Sequence, residues 1–391
     1  MGAGAVERAA VQAVAPDSIG GMASRKIRLG IVGCGDVAHR RYLPTFELIS
    51  NRVEIRGCCD PRPGAAERAV ERVRAWSPAA HAYRDLDAML HDAELDAVVN
   101  ITPAPAHAAT SQACLEAGLH VYSEKPIAAS LPEADRLIAT AREQGLLLLC
   151  APAVAVTKRV RWLADITSSG RLGELTLAVA HHADTGPATW REYTGDPTVF
   201  YGPGVGPVFD HGVYRLHTMT SLMGPVRRVQ AMGSISNGTR VVRAGPLAGR
   251  TIAVTTADHV LMNLEFVNGG LGQLLASFAA PSTQAPWLEL HYTNGTISFA
   301  GDSSDKDAPA SIYFDDDSPL GLEGWVHGLL PPPPGDELGV VESGAAHFIA
   351  VLRGEEEPLL TAEHARHVLD IILKAYLSID DGLSHETETT I

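Results

Sequence analysis

Three short segments carry residue types whose spacing could do chemistry. The first, Gly33-Cys-Gly-Asp-Val-Ala38, is a G-x-G-x-x-A pattern, and each small residue in it has a task. Gly33 makes a tight turn, Gly35 lets backbone approach a pyrophosphate, and Ala38 allows close helix–strand packing. Amide groups at the start of the following helix, over Asp36, Val37 and Ala38, then face the phosphates. Asp60 lies 27 residues after Gly33, at the end of the next strand, where a carboxylate can hold both ribose hydroxyls. It would repel a 2′-phosphate, which favours NAD over NADP; Arg62, two residues on, partly reverses that preference. Thr102-Pro103 follows another strand, and strand carboxyl ends are where doubly wound folds bind ligands, so these residues border the nicotinamide. His107 reads equally as a cofactor neighbour and as a first-turn helix residue.

The second segment is Glu124-Lys125-Pro126, which closes an apolar strand. A fixed ammonium charge there can lower a neighbouring acid's pKa or stabilise an alkoxide. In the third, Asp210, Tyr214 and His217 fall at i, i+4 and i+7, one face of a helix over 210–222. A phenol with an ordinary pKa of about 10 is a weak base at neutral pH. Lys125 alongside it would lower that value, and Asp210 could orient the pair or a substrate hydroxyl. His217 is the alternative proton carrier; a packed aromatic and a helix N-cap are the bland alternative for Tyr214 and Asp210. His211 and Arg215 share the adjoining face, and His181, His182, Trp190, Arg191 and Tyr201 precede the helix. These side chains could line a polyol pocket through hydrogen bonds and ring stacking, or be surface and core residues.

The elements that must position these groups change character along the chain. The first half alternates strands (Ile27–Val32, Val53–Cys59, Leu95–Ile101, Leu119–Ser123) with helices, one interrupted at Pro44, another from about 106 to 117 ending at Gly118. Ser130 and Glu133 form a capping box with Pro132 in the first turn. This rhythm means parallel pairing with right-handed crossovers, so residues 26–150 are expected to form a doubly wound dinucleotide-binding α/β domain. In the second half, Val260, Met262, Leu264 and Phe266 alternate with Leu261, Asn263 and Glu265, a period of two. Asn268-Gly-Gly270 turns the chain back, and Asn294-Gly295 signals a type I′ hairpin. Residues 151–383 are therefore expected to form an α/β substrate and oligomerisation domain on a largely antiparallel open sheet. Solvent loops are expected at 302–317 and 331–334, a final helix from about 362 to 379, and flexible ends at 1–25 and 384–391.

Composition narrows the partners. The 391 residues are 46% hydrophobic, and 31 basic against 46 acidic side chains leave a charge of −15 with no basic stripe. Nucleic acid and anionic membrane surfaces are poor partners for such a surface. The longest apolar run, Leu146–Val156, is eleven residues and contains Pro152, about half of the roughly 20 a bilayer span needs. The first 25 residues hold no basic start followed by an apolar block, so no signal peptide is expected. The five cysteines form no C-x-x-C pair, which reads as buried thiols in a reducing, cytoplasmic compartment. The 16 histidines include no H-E-x-x-H, and no metal is expected.

With these residues in view, the chain resembles the Gfo/Idh/MocA family of sugar and cyclitol oxidoreductases over roughly residues 26–380. The features that carry the resemblance are Gly33–Ala38, Asp60, Thr102-Pro103 with His107, Ala117–Val121 running into Glu124-Lys-Pro126, Gly170-Arg-Leu-Gly-Glu174, and Glu363-His-Ala-Arg-His367. The resemblance implies a Rossmann domain plus an α/β domain whose open sheet often makes dimer or tetramer contacts, with NAD(P) as hydride carrier. Many members have D-x-G-x-H where this chain reads Asp210-His-Gly-Val-Tyr214; tyrosine there is similar to glucose–fructose oxidoreductase and the dihydrodiol dehydrogenases. Residues 151–156 are apolar where many relatives are polar, and Arg159 could serve instead.

These readings lead to an NAD-dependent dehydrogenase or reductase, NADP remaining open, that acts on a secondary alcohol or ketone of a sugar, glycoside or cyclitol. Tyr214 exchanges the hydroxyl proton, Lys125 sets its pKa and holds a ribose or substrate oxygen, and Asp210 orients them in a cleft between the domains. Two rival classes are a glycosidase or epimerase that oxidises the sugar transiently with bound NAD, and a dinucleotide-binding regulator without catalysis.

Overall fold

A computed structural model describes residues 22–191, 193, 195–301, 308–315, 321–329 and 338–391. These fall into two units: the described residues up to Ala153 with Val340–Arg366 and Ile391, and those of Val154–Gly339 with His367–Thr390.

The first unit is a six-stranded parallel sheet in the order β3-β2-β1-β4-β5-β6. Its strands are Ile27–Val32 (β1), Val53–Cys59 (β2), His81–Tyr83 (β3), Ala97–Asn100 (β4), His120–Ser123 (β5) and Leu148–Cys150 (β6). Near-continuous apolar runs such as Ile27, Leu29 and Ile31, none of them exposed, suit a parallel sheet covered on both faces. The order reverses between β1 and β4, so the carboxyl ends of β1, β2, β4 and β5 flank the switch point where such sheets bind ligands.

Some local expectations change. The first helix continues through Pro44 in the segment Leu43–Leu48; its irregularity is instead a π-helical turn at Ala38–Tyr42. Ser130 sits at the N-cap of Leu131–Glu143 but makes no capping bond, and Glu133 accepts from the Ala129 amide at 3.0 Å. The larger correction concerns the domain boundary, because 340–366 belongs with the first unit rather than with 151–383. The helix Val340–Leu352 packs Phe348 against Tyr122, ring centroids 5.7 Å apart, and the Cys150 amide donates to Leu360 at 3.0 Å. Arg142–Glu363 at 2.7 Å and Arg366–Asp135 at 2.5 Å pin the same segment.

The second unit is built on a nine-stranded sheet, β16-β15-β14-β13-β7-β12-β11-β8-β17, antiparallel except where β7 (Leu175–Ala183) pairs with β12 (Leu271–Ser277). Its edge strand β16 is Gly324–Leu329, and β9 (Thr239–Val241) and β10 (Thr251–Ala253) pair separately. The alternation of β11 (His259–Phe266) buries Val260, Met262, Leu264 and Phe266 and leaves Leu261 outside. The hairpin from β13 (Leu288–Tyr292) to β14 (Gly295–Phe299) forms, but not on the expected turn. Tyr292 pairs with Gly295, so Thr293 and Asn294 make the loop, and Glu94 is the one described non-glycine residue with positive φ. A type I′ turn needs two such residues and is therefore absent here.

The expected loop at 302–317 contains β15 (Ala310–Phe314), while its residues 302–307 and 316–317, the loop at 331–334 and residues 1–21 lie outside the described residues. The tail expected to fray is tied down. His385–Glu386 (β17) pairs with β8 (Val226–Ser234), and the Glu388 amide donates to Asp370 at 2.6 Å. Among the described residues no helix is long and apolar enough to cross a membrane. All five cysteines are buried and free. Burial pushes the thiols of Cys59 and Cys114 up to about 12, so neither offers a thiolate at neutral pH.

Candidate active site

Each unit holds part of the predicted machinery. In the first, the chain leaves β1 through Gly33 at φ +95°, a conformation that side chains disfavour. A Cβ there would also lie 2.4 Å from the Ile101 carbonyl oxygen. At Gly35, by contrast, the nearest atom to an added Cβ would be Arg62 Nη2 at 3.5 Å, so the outer side of the turn is open to approach. Ala38 is fully buried, as helix–strand packing requires, while Asp36 is half-buried in an ion pair with Arg40, and Val37 is exposed.

Asp60 does end β2, but its carboxylate is already engaged. Oδ2 accepts from the Cys34 amide at 2.9 Å and from Arg62 Nη2 at 2.6 Å. Oδ1 accepts from the Arg62 amide and Nε, both at 2.9 Å. Burial works against the charge, yet hydrogen bonds from Arg62 and Cys34 outweigh it and hold the Asp60 carboxyl below its ordinary value. The expectation of free oxygens that repel a 2′-phosphate is therefore corrected: Arg62 neutralises Asp60 and presents an exposed guanidinium beside it.

The residues fit a dinucleotide. The turn is one that only glycine makes comfortably, Gly35 leaves room for a pyrophosphate, and the Asp60–Arg62 pair offers polar atoms for ribose hydroxyls.

The ends of β4 and β5 are cross-braced. Asn100, fully buried, accepts from Thr102 Oγ1 at 2.7 Å and donates to the His107 carbonyl and Ser111 Oγ, each at 2.9 Å. His107 is buried too, with Nδ1 2.7 Å from the Pro126 carbonyl and Nε2 2.7 Å from that of Thr102. Glu124 accepts from Tyr42 Oη at 2.6 Å and from the Lys125 amide at 3.0 Å, so it anchors the loop rather than reaching outward. Lys125 is half-buried at the end of β5, and Pro103 is exposed.

In the second unit, the expected helix over 210–222 begins as a π-helical turn, Val208–Gly212, before the α-helix Val213–Met223. The wider turn changes which side chains share a face. Asp210 and His217 are buried, Tyr214 and His211 are half-buried, and neither helix start uses Asp210 as a side-chain cap. His211 stacks on His182 of β7 at 4.0 Å and 14°, meets Trp190 edge-on at 5.2 Å, and lies 6.2 Å from the Tyr214 ring. Its Nε2 is 3.4 Å from Asp210 Oδ2.

Asp184, one residue beyond β7, completes the group. It accepts from Trp190 Nε1 at 3.1 Å and lies 3.6 Å from His182 Nε2. Burial opposes its charge, but His182, the Gly186 amide and His211 together hold the carboxyl below its ordinary range. The arrangement is a wall of rings, His182, His211, Trp190 and Tyr214, with carboxylates Asp184 and Asp210 at its edges. Such a wall can stack on an apolar sugar face and take hydrogen bonds from its hydroxyls.

Four predicted pocket residues, Tyr201, Arg191, His181 and Arg215, are placed elsewhere. Tyr201 is 1% exposed, its hydroxyl accepts from the Ala188 amide at 3.1 Å, and it packs on Phe278, so it is a core residue. Arg191 is exposed on the loop after Trp190. His181 is held at Pro286 by a 2.7 Å contact to its carbonyl. Arg159 and Arg215 lie 5.3 and 4.7 Å from the Trp287 ring centre, so both are used in cation–π packing. Asp184 was missed, although its i, i+2 spacing from His182 places both on one side of an extended strand.

A doubly wound sheet of this order, with this glycine turn, defines the chain's first domain as an NAD-binding Rossmann fold of an oxidoreductase. Residues 27–151 match the family model described as oxidoreductase family, NAD-binding Rossmann fold, and residues 160–298 match the GFO/IDH/MocA C-terminal domain. The chain belongs to the Gfo/Idh/MocA family. It is 28% identical over 303 residues to a dTDP-3,4-didehydro-2,6-dideoxy-alpha-D-glucose 3-reductase of Actinomadura kijaniata, covering 74% of this chain and 86% of that protein. It is 26% identical over 367 residues to the D-glucoside 3-dehydrogenase of Escherichia coli K12, covering 92% and 97%. Among solved structures, the fold matches the WlbA dehydrogenase from Chromobacterium violaceum in complex with NADH and UDP-GlcNAcA (TM-score 0.69, 20% identity, 93% and 96% covered).

Proposed function

We propose that this chain is an NAD-dependent dehydrogenase or reductase that interconverts a secondary alcohol and a ketone on a sugar, free, glycosidic or nucleotide-linked. The observation that carries the substrate class is the ring wall of the second unit with its flanking carboxylates, in a family whose relatives above act on sugars. Gly33–Ala38 and the Asp60–Arg62 pair hold the dinucleotide, and the loops at Thr102-Pro103 and Glu124–Pro126 border its nicotinamide half. Bound NAD supplies hydride acceptance.

The chain's own residues handle binding and the proton. Tyr214 Oη takes the proton of the reacting hydroxyl during oxidation and returns it during reduction. Asp210 orients that hydroxyl, and Lys125 contributes a fixed positive charge. Trp190, His211 and His182 stack on the sugar ring. With Asp60 neutralised by an exposed Arg62, the pair accommodates NADP as well as NAD.

Two coarser features follow the same reading. Leu261 lies directly opposite Met232 and Leu275 in the sheet, and this apolar cluster, in which Leu261 and Met232 are exposed, suits a homo-oligomer contact. Five buried free thiols suit a cytoplasmic location.

The test is reduced-nicotinamide absorbance with purified protein, NAD or NADP, and a panel of sugars, glycosides and nucleotide sugars. Stoichiometric cofactor reduction with one sugar class, lost in Lys125→Ala, is expected. A changed sugar product without net cofactor reduction would replace this reading with transient oxidation by retained NAD.

A further inference from the structure

His107 poses a question of hydrogen-bond stoichiometry. Both ring nitrogens lie 2.7 Å from backbone carbonyl oxygens, Nδ1 at Pro126 and Nε2 at Thr102, and the residue is 2% exposed. A carbonyl oxygen can only accept. A neutral imidazole carries one N–H, so one of these contacts would set a nitrogen lone pair against an oxygen lone pair, in a place where no bulk water relieves it. With hydrogen on both nitrogens, each contact is a short charge-assisted hydrogen bond.

The surroundings keep the ring in this pose. Asn100 donates to the His107 carbonyl and accepts from Thr102, so the residue carrying the ring and one of its two acceptors are tied to the same buried amide. The other acceptor, Pro126, follows Lys125 at the end of β5. The adenosine half of a dinucleotide belongs beside Asp60 at β2, across the switch point. The loops after β4 and β5 therefore face the other half.

We propose that His107 is a buried imidazolium clamp, a positioning residue whose two N–H groups fasten the loop at Thr102 to the loop at Pro126 and so shape the nicotinamide end of the cofactor site. It touches neither substrate nor hydride; it acts through the loops it joins. The second half of this statement rests on the cofactor reading above, whereas the first does not.

The first experiment is nitrogen-15 NMR of the histidine rings at neutral pH in the full chain, with His107 assigned from the spectrum of His107→Asn. Both His107 nitrogens are expected to show the protonated signature, and a ring with a single hydrogen would overturn the clamp. The second measures affinity for NADH and for ADP-ribose in wild type, His107→Asn and His107→Gln. Loss of one charge-assisted bond should weaken NADH by about tenfold. ADP-ribose, which lacks the nicotinamide, should bind as before. Equal losses for both ligands would make His107 a general structural support and overturn its positioning role. If neither ligand binds the wild-type chain, the cofactor reading fails, while two ring protons would still uphold the clamp.

Discussion

Both segments that carry the chemistry, Gly33–Tyr42 in the first unit and Val208–Tyr214 in the second, pass through one π-helical turn, yet they are held in place by different means. The first is dictated locally. Gly33 takes a left-handed backbone conformation that glycine alone adopts at little steric cost. The second is dictated by partners brought from β7 and the loop after it, because His211 is held by His182, Trp190 and Asp210. A motif shaped by its own backbone can be read as a string. One assembled from rings on a strand, a loop and a helix cannot.

The largest expected effect falls on the second segment. Tyr214→Phe removes the proton carrier but keeps the ring, so kcat should drop by about a hundredfold to ten-thousandfold while NADH affinity stays unchanged. Steady-state kinetics and a NADH titration check both parts. Undiminished turnover would transfer the role to His217 or His211 and break the assignment.

The first segment can be split at its two glycines. Gly33→Ala forces a Cβ to 2.4 Å from the Ile101 oxygen in a left-handed conformation, and should cost about 3 kcal/mol or more along with cofactor binding. Gly35→Ala meets only ordinary contact, so stability should change by less than about 0.5 kcal/mol while NADH binding weakens, as the methyl occupies the phosphate approach. Denaturant melts beside NADH titrations separate the two. Matching losses in both variants would mean that Gly35, too, is a structural requirement.

Acid should distinguish the units themselves. His120 on β5 is buried and accepts the Leu147 amide at Nδ1, 2.9 Å, so its folded form is neutral; burial lowers its pKa to about 4. The unfolded ring takes up a proton near its ordinary value of about 6.5, so the unfolded state binds more protons between the two values. Stability is thus fully present above pH of about 6.5 and is lost as pH falls toward about 4, by about 3 kcal/mol in all. Melts of wild type and His120→Gln across that range should converge as pH falls. Parallel pH dependence in both would remove His120 as the cause.

Much of the first unit was legible because its signals are local. Apolar runs of strand length, Gly118 ending the helix, and the G-x-G-x-x-A turn each follow from backbone sterics and burial within a few residues. Asp60 was placed correctly at the end of β2, but its occupation by Arg62 was not foreseen, since spacing says nothing about which donor reaches a carboxylate first. Tyr201 shows the converse error. An aromatic near a predicted pocket reads as a ligand contact until the fold turns it into the core beside Phe278. The return of 340–366 to the first unit and the pairing of the tail with β8 were equally hidden, because a helix pattern or a polar terminus does not specify its packing partner.

What the amino-acid order determined by itself was the class of fold and the cofactor turn, both consequences of short-range sterics and period. Tertiary structure alone decided that His107 joins two carbonyls, that Arg62 covers Asp60, and that His182, His211, Asp184 and Trp190 form one cluster. The reason is physical: hydrogen-bond and stacking partners are chosen by distance in space, and only folding sets those distances between residues remote in the chain.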